Sequence, residues 1–165
     1  MVIYKGNPET PHFINVDLDI YSKSNLQPLL AVLGKKVCVL YAGRDKRTYS
    51  AHLELTRITG SADAAIRAFC ALVQALPRAE RDLWNAAKVR EFNIGVQAAM
   101  RPFSYEMVLA AETVKTAAEV GARIVFTVYS PEEHRERARG VMPGSKKAAS
   151  DRAKISLAAP PNNTP

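Results

Sequence analysis

Residues 14–21 read INVDLDIY, with an apolar side chain at every second position. A run of this kind buries one face of a β-strand and wets the other. Ile14, Val16, Leu18 and Ile20 face inward, while Asn15, Asp17 and Asp19 face outward. The alternation returns at 48–56, where Tyr49, Ala51, Leu53 and Leu55 face in and Ser50, His52 and Glu54 face out. It returns again at 92–100, 105–109 and 124–129, with Phe126 and Val128 among the inward residues. Residues 37–42 (VCVLYA) are continuously apolar. That pattern predicts a strand covered on both faces, central in the sheet. Residues 43–47 (GRDKR) turn the chain back, so 37–42 and 48–56 form a hairpin.

Between the strands the spacing changes to that of a helix. Leu26, Leu29, Leu30 and Leu33 form one stripe in 22–34. Ser24 is a candidate cap, Pro28 fits only a first turn, and Gly34 is a natural stop. Ser61 caps a longer helix in which Asp63 meets the positive end of the dipole. Its buried stripe is Ile66, Phe69, Cys70, Val73 and Leu76. Pro77 ends that helix and opens another, anchored by Leu83 and Trp84. A last helix covers about 111–120 and stops at Gly121. These elements predict an α+β fold, with a mixed, mostly antiparallel sheet of about six strands and helices packed on one face. The recurrence of a strand–helix–strand unit beside a hairpin points to an internal pseudo-repeat.

The organised part spans 14–129, preceded by a 13-residue arm. Residues 130–165 carry 7 basic and 4 acidic residues with much Ala, Pro and Ser, and read as a disordered basic tail. The formal net charge of +7 permits a nucleic-acid or acidic partner without specifying either. Two cysteines, Cys38 and Cys70, lie in apolar runs and read as buried thiols rather than a disulfide or zinc framework. No stretch has the roughly 18 apolar residues of a membrane helix, and the first residues lack a signal-peptide pattern. The expectation is a cytoplasmic protein with no membrane partner.

Residues 110–121 (AAETVKTAAEVG) and 122–129 (ARIVFTVY) resemble a helix of the type SPETLKALAELG followed by a strand ending in Tyr. That pairing is similar to the C-terminal half of a widespread bacterial family of uncharacterised small α+β domains. The resemblance spans 61–129, and the family's usual Trp-containing strand has no counterpart. It implies binding rather than catalysis, as in immunity or accessory proteins of toxin systems, and carries over no functional residue.

The outward faces hold the candidate groups. Asp17 and Asp19 on one strand, with His52 and Glu54 on another, would converge on a divalent metal or form an acid–base pair if the strands are neighbours. Asn93, Gln97, Arg123 and Tyr129 add amides, a cation and an aromatic, which is the make-up of a protein-contact patch. Arg44, Lys46 and Arg47 are candidates for anion binding, although the run lacks the spacing of a P-loop. Only Tyr21 and Tyr129 are expected as outward aromatics, too few for an RNA-stacking platform. No nucleophile elbow, dinucleotide fingerprint or metal motif is present, so no catalytic, cofactor or metal residue is assigned. The leading expectation is a non-enzymatic module that binds a protein through the polar sheet face. The alternatives are a nucleic-acid-associated protein using the tail and residues 43–47, and a small metal-dependent hydrolase built on Asp17, Asp19, His52 and Glu54.

Overall fold

A computed structural model describes residues 10–102 and 104–130. The expected tail therefore lies outside the described residues apart from Ser130, as do the first nine residues of the arm. The chain forms β1 (His12–Ser22), α1 (Gln27–Leu33) and a 3-10 turn (Gly34–Lys36), then β2 (Val37–Asp45) and β3 (Thr48–Leu55). Next come α2 (Ala62–Gln74), α3 (Arg78–Ala86), β4 (Val89–Gln97), α4 (Ala111–Glu119) and β5 (Arg123–Tyr129). The strands form one sheet in the order β2-β3-β1-β4-β5, antiparallel except for the parallel β4–β5 pair. Two strand–helix–strand units interlock, each enclosing a strand of the other. That connectivity is the split β-α-β arrangement of ferredoxin-like folds; its units, β1–α1–β2 and β3–α2–α3–β4, are not the expected pseudo-repeat, whose second copy needed a strand at 105–109 that does not form. The unit of α4 and β5 adds a fifth strand beside β4.

The helices cover one face. Val16, Leu18 and Ile20 of β1, Ala51 and Leu53 of β3 and Phe92, Ile94 and Val96 of β4 are buried beneath them. From above come Leu29, Leu30 and Leu33 of α1, Ile66, Phe69, Cys70 and Val73 of α2 and Ala117 of α4. Phe69 stacks on Phe92 at 5.9 Å between ring centroids. Local signals act as the sequence implies. Ser61 Oγ accepts from the Ala64 amide at 3.2 Å. Gly34 and Gly121 take positive φ after α1 and α4, where a side chain would be strained. The N-cap of α1 is Leu26, not Ser24. Asn25 Oδ1 instead accepts from the Gln27 amide at 3.0 Å.

Five expectations are corrected. The sheet has five strands, because 104–110 runs extended without joining it: β5 already occupies the free side of β4. Tyr105 of that segment accepts the Phe13 amide on its hydroxyl at 2.9 Å, and Val108 is 67% exposed. The run VCVLYA forms an edge strand rather than a central one, leaving Val39, Leu40, Tyr41 and Cys38 exposed. Only Cys70 is a buried thiol, and burial pushes its pKa up to about 11, which suppresses its reactivity. Phe126 and Val128 point to the helix side but remain exposed, because the nine-residue α4 does not cover them. β1 also begins two residues early, so His12 and Phe13 belong to the sheet rather than to the arm.

Candidate functional site

Among the described residues, the face opposite the helices is the only broad surface on which several strands align polar groups. Register decides what meets what. Asp17 lies opposite Glu54 on one side and Asn93 on the other. Asp19 lies opposite His52 and Glu91. Glu91 is beside Arg123, and Gln97 beside Tyr129. All eight expected contact residues therefore share this face, and β1, β3, β4 and β5 each contribute a pair of them.

The groups are held by cross-strand bonds. The Asn15 amide donates to Asp17 Oδ1 at 2.9 Å and also to Glu54 Oε1, linking the two carboxyls. His52 Nδ1 and Asp19 Oδ1 are 2.7 Å apart. The His52 ring lies 5.6 Å from that of Tyr21 and 5.7 Å from that of Tyr41. Arg123 makes an ion pair with Glu91 in which Nε and Nη2 both donate to the one oxygen Oε2. Thr127 Oγ1 donates to Asn93 Oδ1 at 2.7 Å. Gln97 is 5% exposed, and its amide donates to the carbonyls of Ala98, Tyr129 and Ser130. It clamps the end of β5 and has little surface to offer a partner.

The centre of the face is acidic. Burial, the charges of Glu54 and Asp19, and a hydrogen bond with Glu54 together push Asp17 up to about 7, against a smaller opposing effect of His52. Two carboxyls held side by side share a proton more readily than they both ionise. Asp17 and Glu54 thus form a carboxyl–carboxylate pair, and Asp19 and His52 form a second, separate pair. The strands are neighbours, as the acid–base expectation required. Yet among the described residues no three His, Cys, Asp or Glu side chains are grouped so as to hold a metal ion.

The three cations of the expected anion site lie at the β2–β3 hairpin. Arg44 belongs to β2, where its guanidinium lies 5.2 Å from the Tyr49 ring centroid and donates to the Lys46 carbonyl at 3.0 Å. It pairs with Tyr49 on the helix side of the sheet, away from the acidic centre. Lys46 and Arg47 form the two-residue hairpin turn, with Lys46 at a φ of 52°.

The sequence does not single out three residues of the face. Glu91 precedes the alternating run 92–100, and its place two residues before Asn93 is the signal that finds it. Tyr41 lies in a run whose hydropathy reads as buried. The linking role of Asn15 needs the β1–β3 register. Comparison with family models, curated proteins and solved structures returns no match for this chain. No helix among the described residues is long and apolar enough to cross a membrane.

Proposed function

We propose that the chain is a binding module whose helix-free sheet face receives a protein partner. The observation that carries this reading is a face spanning all five strands, uncovered by any described element, with its charged groups fixed in cross-strand pairs. Five strands about 4.8 Å apart, each presenting about seven residues, span roughly 24 by 23 Å. That supplies a large share of the about 800 Å² per partner of a stable interface. The carboxylates Asp19, Glu54 and Glu91 outnumber the cation Arg123 on this face, so the partner side is basic. Tyr21, Tyr41 and Tyr129 provide the aromatic contacts that protein interfaces favour. An immunity or accessory role is one form such binding would take. The same acidic centre disfavours nucleic acid, since phosphates would face carboxylates on the three central strands.

Capture from cells that naturally make this chain tests the reading. Glu54→Lys, a charge reversal beside the central strand, and Tyr129→Ala, the loss of an aromatic contact, should each weaken the captured complex about tenfold, as expected for hot-spot residues of an interface. The helix-side changes Val32→Ala and Lys115→Ala should leave it unchanged. Circular dichroism of each variant checks folding. Weakening by the helix-side changes alone would overturn the proposal.

A further inference from the structure

Strand β2 ends the sheet, and among the described residues no strand pairs with its outer side. Charge, bulges or short length usually protect such an edge from pairing. Here nine residues are presented, and at the middle Val39, Leu40 and Tyr41 are 46%, 52% and 49% exposed. A bulge lies at Leu40, between the Val39–Leu53 and Tyr41–His52 pairs. It reverses the alternation along β2. Val37, Val39, Ala42 and Arg44 take the helix side, opposite Leu55, Leu53, Ala51 and Tyr49. Cys38, Tyr41, Gly43 and Asp45 take the open side, opposite Glu54, His52, Ser50 and Thr48.

A regular strand added to this edge keeps its faces in register on one side of the bulge and loses them on the other. A second copy of β2 carries the same bulge. We infer that the β2 edge is a homodimer seam, in which two copies of β2 pair antiparallel about a two-fold axis between Leu40 and Tyr41. In that register Val39 lies opposite the partner's Ala42 on the helix side, and Cys38 opposite the partner's Gly43 on the open side. Leu40 lies opposite the partner's Tyr41, which covers the exposed apolar middle of each strand. Lys36, the last residue of the 3-10 turn, continues the ladder by one position, its carbonyl accepting from the Thr56 amide at 3.1 Å; it lies opposite the partner's Asp45, twice by symmetry, so the ends of the seam are complementary in charge. A shift of two residues loses this match, setting Lys35 against the partner's Arg44 in one direction and Cys38 against the partner's Asp45 in the other. The contact is isologous and closes on itself, so it produces a dimer rather than a fibre. It joins two five-stranded sheets into one, with both acidic faces on the same side.

Sedimentation equilibrium of the full chain tests the seam independently of any protein partner. Wild type should show a concentration-dependent monomer–dimer equilibrium. Lys36→Glu and Asp45→Lys each place like charges opposite one another at two sites, and each should weaken the dimer at least about fivefold. The double variant Lys36→Glu/Asp45→Lys restores opposite charges and should recover the dimer. Val39→Lys, which sets a charge in the apolar middle, should give a monomer with an unchanged circular dichroism spectrum. A wild-type chain that stays monomeric to about 1 mM would overturn the inference. So would a dimer indifferent to the single charge reversals, or one that the double variant fails to recover.

Discussion

Trp84→Ala is expected to cost about 3–5 kcal/mol of folding stability, in the range of large-to-small changes at buried aromatic positions. Trp84 is 1% exposed, and its indole N–H donates to the Val120 carbonyl at 2.8 Å. The indole therefore ties α3 to the end of α4. Arg90 tightens the same junction, donating through Nη1 to the carbonyls of Trp84 and Asn85 and through Nε to that of Gly121. Truncation opens a cavity where α3, α4 and β4 meet and leaves the Val120 carbonyl without its donor. Against a total stability of about 5–15 kcal/mol for a domain of this kind, the loss is a large fraction. Trp84→Phe keeps most of the burial and should lose only about 1–2 kcal/mol. Urea unfolding at constant m-value measures both. A loss below about 1.5 kcal/mol for Trp84→Ala would contradict the packing described.

Asp17→Asn is expected to stabilise the protein above pH 7 and to remove a slope from its stability–pH profile. The unfolded chain releases the Asp17 proton near the ordinary value of 3.8, whereas the folded protein holds it until about 7. Between those values the folded state binds more protons, so this group lowers stability as pH rises from about 4 to about 7. The full difference corresponds to about 4 kcal/mol. Asp17 sits on a partly solvated face, and screening by water reduces the net effect to about 1–2 kcal/mol. Asparagine mimics the protonated acid, accepting from Asn15 and donating to Glu54 without a charge. The variant should gain about 3–6 °C in melting temperature at pH 8 and gain nothing near pH 4. Parallel wild-type and variant profiles from pH 4 to pH 8 would contradict the shared proton.

How far the fold can be read depends on the element. Strands β1, β3 and β4 each have one wet and one greasy face, so alternation alone reveals them. Stripes and caps locate the helices, as Leu29, Leu30 and Leu33 or Ser61 illustrate. The failures have a common cause, which is that apolar residues are not always covered. Val39 to Tyr41 read as a buried run because hydropathy cannot tell a central strand from an apolar edge. Phe126 and Val128 alternate correctly, but the cover they need is set by the length of α4. Residues 105–109 alternate like a strand, yet a strand also needs an open edge to join, and strand order is a long-range property. That the eight candidate residues share one face follows from which face each strand wets. Their pairing does not, because placing Asp17 beside Glu54 or Glu91 beside Arg123 requires the cross-strand register.

Site-specific photo-crosslinking tests the binding face most directly. A benzophenone side chain is introduced singly at Tyr21 or Tyr129 on the open face, and at Val32 or Val114 on the helix side. Each variant of the full chain is then irradiated in cells that naturally make the protein. Adducts to one common protein from both open-face positions, with none to it from Val32 or Val114, are the predicted result. Adducts to a common partner from the helix-side positions alone would contradict the account.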